Sequence, residues 1–294
     1  MSQAGLAIRR QVDLQVSAPQ RPRSLRQGRE ELELKLTELQ RDYAELHTAV
    51  FEAAQVHRRL CAPRMVRYRD VEIASEIFAV RHLAGDFFTI REVNNGVVLA
   101  LGDISGKGLT AGMWTTHLVG LVGARAAVNT DPEAIVAGVN RDVCLTQPMV
   151  PLASLFVARL DPETGKLEYC SAGHPPAMLL RTNGQLESLT DGGLLLGVVP
   201  SAAYVRGSVQ LGPGDVVVAY SDGVMETRND LEEEFGLARI EERLRGAALA
   251  KHDWYTRNNS AESILFSLLA EVQDFAVSHP LVDDLSLVVI RRDN

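Results

Sequence analysis

Residues 85–103 read Gly85-Asp86-Phe87-Phe88-Thr89-Ile90-Arg91-Glu92-Val93-Asn94-Asn95-Gly96-Val97-Val98-Leu99-Ala100-Leu101-Gly102-Asp103, and the topology follows from them. Two apolar runs, Phe87–Ile90 and Val97–Leu101, flank Asn94-Asn95-Gly96, the composition of a tight hairpin turn. A hairpin joins antiparallel strands, whereas a parallel pair needs a crossover of roughly a dozen residues. The pattern recurs. Asp161-Pro162-Glu163-Thr164-Gly165 joins Leu155–Leu160 to Leu167–Ser171, and Thr182-Asn183-Gly184 follows Ala177–Leu180. A doubly wound parallel sheet is excluded. Helical stretches fall at 109–128, 132–146, 237–250 and 261–277, with Pro132 as a first-turn proline and Asp131 as its cap. The segment 252–260 is polar and reads as a loop, and no internal repeat is present. Antiparallel strands mixed with a few long helices predict an α+β sandwich, with helices covering two antiparallel β-sheets.

Ahead of this body lie two different segments. Residues 1–24 are polar, with Pro19, Pro22 and several arginines, and read as a flexible tail. From Leu25 a heptad pattern begins: Leu25, Leu32, Leu39, Leu46, Ala53 and Leu60 form one position, and Leu36, Tyr43 and Val50 the other. Arg29 and His57 interrupt the second position. The spacing predicts an N-terminal coiled-coil helix over 25–62, as a parallel dimer or an intramolecular hairpin, ahead of a catalytic domain at 63–294. A single helix lying on the body is the plainer alternative.

The 294 residues suit one large domain plus an accessory segment. A formal net charge of -8, with a pI near 5.4, argues against nucleic acid as partner, which calls for a basic face. Cys61, Cys144 and Cys170 are odd in number and far apart, which fits a reducing compartment and no zinc ribbon. No apolar run is long enough for a membrane span and no signal-peptide core is present, so a cytoplasmic protein is expected.

Chemistry points to carboxylates. Gly85-Asp86-Phe87, Gly102-Asp103-Ile104-Ser105-Gly106, Ser221-Asp222-Gly223 and Asp283-Asp284-Leu285-Ser286 each place aspartate at the edge of an apolar run. Converging carboxylates repel one another unless a cation compensates them. An all-oxygen set without His or Cys favours Mg2+ or Mn2+ over zinc. Two such ions lower the pKa of a bridging water and offset charge on a transferring phosphoryl group, so no protein nucleophile is needed. For any one aspartate beside glycine, the simpler reading is a turn-former.

Three decoys fall away. Gly106-Lys107 lacks the Walker A spacing and sits in an antiparallel context. Cys61 to Arg67 has the C-x5-R spacing of cysteine phosphatases, but it has no glycine and Pro63 removes an amide. His174 has no G-x-S-x-G nucleophile elbow to serve, and reads as a structural or substrate-edge residue.

In order, Gly85-Asp86-Phe87, Gly102 to Gly108, Ser171-Ala172-Gly173-His174-Pro175-Pro176, Leu196-Gly197, Ser221-Asp222-Gly223-Val224 and Asp283-Asp284-Leu285-Ser286 resemble the SpoIIE/RsbU-type branch of the metal-dependent Ser/Thr protein phosphatases, the PPM superfamily. The likeness covers 71–291 and implies a sandwich of two sheets flanked by helices, holding two divalent cations, Mn2+ or Mg2+. It implies that Asp103 bridges both metals, with the Ile104 carbonyl completing one site. Asp222 and Asp283 are then ligands of the first metal and Asp86 of the second, while Asp284 matches a position that is carboxylate or amide in relatives. Asp103 and Asp222 would hold the activated water. Relatives usually read Gly-Gly-Asp-Phe-Tyr-Asp where this chain has Ala84 to Thr89, so Ala84 and Thr89 are departures.

The resemblance further implies a phosphoserine or phosphothreonine protein substrate, an anti-anti-sigma (STAS-domain) partner in a partner-switching pathway. It also implies a homodimer and an upstream regulator acting through the N-terminal helix. A binding module of the same fold without catalysis is the competing reading, and retention of the main ligand positions favours the enzyme.

Overall fold

The computed structural model describes residues 25–61, 65–146, 151–249, 260–277 and 279–293. The expected tail at 1–24 and most of the expected loop at 252–260 lie outside the described residues. Contacts divide the chain into two compact units, Met1–Val50 and Phe51–Asn294.

Helix α1 spans Leu25–Cys61. In the first unit its surface is held by exposed i,i+4 pairs, Arg29 with Glu33 and Glu31 with Lys35, which add only tenths of a kcal/mol each. Leu32, Leu36, Leu39, Tyr43 and Leu46 of the heptad positions are all exposed. The sequence places the domain edge at 62/63, whereas contacts place it at Val50/Phe51. The reason is the burial of His57 and Cys61, the latter within the core of the body.

The body contains β1 (Met65–Tyr68), β2 (Val71–Phe78), β3 (Phe87–Val93), β4 (Gly96–Ile104), α2 (Leu109–Val128), α3 (Pro132–Leu145), β5 (Ala153–Leu160) and β6 (Lys166–Ala172). It continues with β7 (Ala177–Leu180), β8 (Leu186–Leu189), β9 (Gly192–Gly193), β10 (Gly207–Gln210), β11 (Val216–Tyr220), α4 (Asp222–Glu226), α5 (Gly236–Leu249), α6 (Ala261–Ala276) and β12 (Leu285–Arg292). One sheet has the order β1-β2-β12-β11-β7-β8 and the other β10-β6-β5-β4-β3. The predicted Asn94–Gly96 hairpin pairs Phe87 with Gly102 through Val93 with Gly96. All pairs but one are antiparallel; the short β9 runs parallel to β6.

Both faces of each sheet are covered, which is why the strands read as continuous apolar runs. In β11, Val217 and Ala219 face the core between the sheets, with Leu99, Leu101, Phe156, Val288 and Ile290. The alternate residues Val216, Val218 and Tyr220 pack under α5 and α6 with Leu244, Leu265 and Leu269. On the other sheet Val98, Ala100 and Val157 meet Leu118 and Val122 of α2 and Val139 of α3. This period-two division produces a four-layer helix–sheet–sheet–helix sandwich. Asp131 caps α3 as expected, its Oδ1 accepting from the Glu133 amide at 3.2 Å.

Candidate functional site

The four acidic signatures come to one place because each lies where a strand of the sandwich starts or stops. Asp103 is next to last in β4 and pairs with Ser154 of β5. Asp86 immediately precedes β3, the antiparallel neighbour of β4. From the facing sheet, Asp222 opens α4 directly after β11, and Asp283-Asp284 lead into β12, which pairs with β11. Each sheet thus contributes one adjacent pair of acidic ends.

Glycines and serines weld these ends together. A Cβ on Gly85 would stand 3.1 Å from the Ile104 carbonyl oxygen and 3.6 Å from Asp103 Oδ1, so the first two motifs meet only through glycine. A Cβ on Gly223 would stand 2.2 Å from the Asp284 carbonyl oxygen. Ser221 Oγ donates to the Asp284 carbonyl at 3.3 Å and accepts from the Ser286 amide at 3.1 Å. Ser286 Oγ in turn donates to Asp86 Oδ2. Ser221 and Ser286 are fully buried and were legible only as motif letters, because serine in a loop or strand carries no sequence signal of its own.

The five aspartates differ in what they are free to do. Asp284 Oδ1 accepts from the Val80 amide at 2.8 Å and Oδ2 from the Gly85 amide at 2.7 Å. Both of its oxygens are engaged in holding the loop that carries Asp86. Asp283 accepts from Lys107 Nζ at 2.7 Å on one oxygen and from the Asp284 amide at 3.0 Å on the other. Lys107 also donates to the Val282 carbonyl. Asp103 and Asp222 line an open cavity of about 620 Å3 together with Ile104, Lys107 and Asp283.

Electrostatics agree with crowding. Burial, then the charge of Asp222, pushes the Asp103 carboxyl up to about 6. Asp86 is raised well above its ordinary range, by burial and then by Asp103. Burial followed by Asp283 raises Asp222, and burial raises Asp284 against the pull of its two amides. Carboxylates this close and this shielded from water cost free energy to ionise together, and a hard cation removes that cost. Among the described residues no three His, Cys, Asp or Glu side chains close into a ready-made cage. The residues that could hold a cation here are carboxylates, with Ile104 beside them on the cavity wall, an all-oxygen set that suits Mg2+ or Mn2+. The residues present fit such ions.

Outside this cluster the structure resolves the other sequence readings. His174 is buried, and its Nδ1 lies 2.7 Å from Ser154 Oγ at the cavity wall. Its Nε2 has no partner among the described residues. Burial pushes its pKa down to about 3, which keeps the imidazole neutral and makes it a poor proton acceptor. Accordingly, His174→Gln should leave the acid limb of the pH–activity profile where it is between pH 5 and 9. The same change should cost roughly 1–3 kcal/mol of stability by denaturant titration. An acid limb displaced by this substitution would make His174 a titrating participant. Cys61 is no thiolate nucleophile, since burial pushes its thiol up to about 12. Thr89 faces a different, 210 Å3 cavity that includes Val119 and Gly123 of α2, away from the carboxylates. Ala84 is buried, and Thr115 Oγ1 donates to the neighbouring Gly85 carbonyl at 2.8 Å.

A family profile described as Stage II sporulation protein E (SpoIIE) matches residues 94–293. The chain is 25% identical over 251 residues to phosphoserine phosphatase RsbU of Bacillus subtilis, spanning 84% of this chain and 71% of that protein. In fold it is similar to the SiaA-PP2C domain of Pseudomonas aeruginosa, at a TM-score of 0.72 and 16% identity, over 86% of this chain and 99% of that one. It is likewise similar in fold to RsbX in complex with magnesium, at a TM-score of 0.59 and 16% identity, over 78% of this chain and 99% of that one.

Proposed function

Because the chain belongs to the Stage II sporulation protein E (SpoIIE) family, its branch being the SpoIIE/RsbU-type PPM phosphatases, we propose that it hydrolyses phosphoserine or phosphothreonine on a protein, with two divalent cations, Mn2+ or Mg2+. The observation that carries this reading is the gathering of Asp86, Asp103, Asp222 and Asp283 from four separate segments, with Asp103 pushed up to about 6. Bound there, the ions would supply an activated water and offset charge on the phosphoryl group. Asp103 interacts with both Asp86 and Asp222, which supports it as the bridging residue of this reading, with Asp222 and Asp283 on one ion and Asp86 on the other. Asp284, with both oxygens on amides, serves this reading best as the residue that positions Gly85 and Asp86. The Lys107 ammonium, on the cavity wall beside Asp283, is placed to attract a phosphate.

The partner we propose is a serine-phosphorylated STAS-domain protein of a partner-switching pathway that controls a sigma factor, in keeping with the likeness to RsbU. Among the described residues no helix is long and apolar enough to cross a membrane. Release of phosphate from such a phosphoprotein should require added Mn2+ or Mg2+ and stop with chelator. Turnover indifferent to chelator would overturn the metal reading.

The exposed heptad side chains Leu32, Leu36, Leu39, Tyr43 and Leu46 are the surface proposed for a homodimer, and for an upstream regulator acting on the helix. Light scattering after size exclusion is expected to give a dimer for the full chain. Leu39→Asp together with Leu46→Asp should shift it to monomer, and a wild-type monomer at tens of micromolar would rule the dimer out.

A further inference from the structure

The rim of the acidic cavity carries apolar side chains as well as charged ones. Leu152 and Leu195 line the cavity. Leu152 is 43% exposed, and the segment 194–199, which passes it at Leu196 and Gly197, exposes Leu194 at 54%, Val198 at 51% and Val199 at 37%. Gly197, between Leu196 and Val198, runs against this rim: a Cβ there would stand 3.6 Å from Leu152 Cδ2 and 3.4 Å from Val143 Cγ1.

What makes this surface unusual is how firmly it is held. Asn140 of α3 is fully buried. Its Nδ2 donates to the Val199 carbonyl at 2.9 Å, and its Oδ1 accepts from the Gly197 amide at 3.0 Å. Leu196 is buried and bridges Ala153 through both backbone groups. Ala202 donates to the Val199 carbonyl at 3.1 Å. A segment with no strand ladder of its own is thus fixed by a buried amide, and it presents apolar side chains to water. Exposed apolar side chains on a segment pinned by buried hydrogen bonds, next to a reactive cavity, suit a recognition site.

We propose that Leu152, Leu194, Val198 and Val199 form the docking surface for the folded domain that carries the phosphoserine. The inference rests on the phosphatase reading and adds to it how substrate is selected. Leu152 and Leu195 line the cavity itself and tie the 194–199 segment to it. A phosphoserine side chain is short, so for its phosphorus to reach Asp103 and Asp222 the substrate backbone must sit at the cavity mouth. Any folded substrate then covers the rim, to which Leu152 and the adjoining 194–199 segment belong. A small phosphorylated molecule, or a short peptide, makes no use of it.

The variant is Leu194→Asp with Val198→Asp, neither residue touching the acidic cluster. The probes are a serine-phosphorylated STAS-domain protein, a phosphoserine hexapeptide copying its site, and para-nitrophenyl phosphate, all with Mn2+. The double variant should lose at least about tenfold in kcat/KM on the folded phosphoprotein, through KM, while the peptide and the aryl phosphate change less than about twofold. Binding of the phosphoprotein to Asp103→Asn protein, read by interferometry, should weaken by the same factor when Leu194 and Val198 are changed as well. Unchanged phosphoprotein KM and binding, or no binding at all, would overturn the docking surface. So would equal losses on all three probes, or dissociation of a wild-type dimer by the double variant, which would make the surface a contact between copies. Wild-type protein that binds the phosphoprotein through this surface yet releases no phosphate would leave the surface standing and reject the phosphatase reading instead.

Discussion

Asp103→Asn is expected to lower phosphatase turnover by roughly 10³-fold, about 4 kcal/mol of transition-state stabilisation. The substitution keeps the shape of the side chain at the end of β4, opposite Ser154, and removes its negative charge. Of the carboxylates, Asp103 is the one whose pKa is raised by Asp222, Asp283 and Asp284 and which also meets Asp86, so its loss weakens the hold on a cation from both sides. A second signature separates this from simple unfolding. Ionised Asp103 is destabilising in the folded protein when no cation compensates it, because its carboxyl has been pushed from 3.8 to about 6. With chelator at pH 8, Asp103→Asn should therefore be more stable than wild type, by at most about 3 kcal/mol. Urea denaturation reads that difference and phosphate release reads the loss of turnover. A variant that turns over like wild type, with or without the stability gain, would remove Asp103 from the chemistry.

The affinity for Mn2+ is expected to fall by at least about tenfold between pH 7.5 and pH 5. The sign follows from the carboxylates. Asp103 in the folded protein is protonated below about 6, and a cation must displace that proton to bind. Asp86 and Asp222 are raised as well and add to the effect in the same direction. For the folded protein alone, a raised carboxyl pKa gives a contribution to stability that is present at acid pH and lost as pH rises through the folded value. Added Mn2+ should thus stabilise most at pH 8 and least at pH 5. The two buried imidazoles, His57 and His174, have lowered pKa values and act oppositely on stability below pH 6.5, where unfolding lets them take up protons. Both are present with and without metal, so the difference between Mn2+-loaded and chelated melting temperatures isolates the carboxylates. Calorimetric titration at pH 5, 6 and 7.5 measures the affinity directly. An affinity independent of pH across that range would mean that the raised carboxylates are not the ligands.

Much of the fold was legible because its signals are local. Asn94-Asn95-Gly96 defines a hairpin from adjacent residues, and Asp131-Pro132 marks a helix start within one turn. The runs Val216–Tyr220 and Leu285–Ile290 are continuous because helices cover one face and the opposite sheet the other, which a single sequence shows as apolar content without saying which residue faces which layer. The ending of α1 was less legible. His57 interrupts the heptads on paper, and it is buried in the body together with Cys61, 3.7 Å from its sulfur. A residue that breaks one periodic pattern had been recruited by another surface, and no local rule carries that information.

The same division runs through the site. From the chain alone came the identity of the acidic signatures and the oxygen chemistry they imply, since aspartate beside glycine at a strand edge is a property of neighbours in sequence. What each aspartate touches exists only in three dimensions. Asp283 and Asp284 are adjacent and identical in type, yet Asp283 lines the cavity and pairs with Lys107, while Asp284 accepts from the amides of Val80 and Gly85 and ties down the loop that carries Asp86. Ser221 and Ser286, Asn140 and the exposed Leu194 and Val198 likewise acquired their significance through partners distant in the chain. Side-chain type and local spacing are written in the sequence; the hydrogen-bond partners that engage or release a side chain, and the crowding that shifts a carboxyl to about 6, exist only once the two sheets have closed on each other.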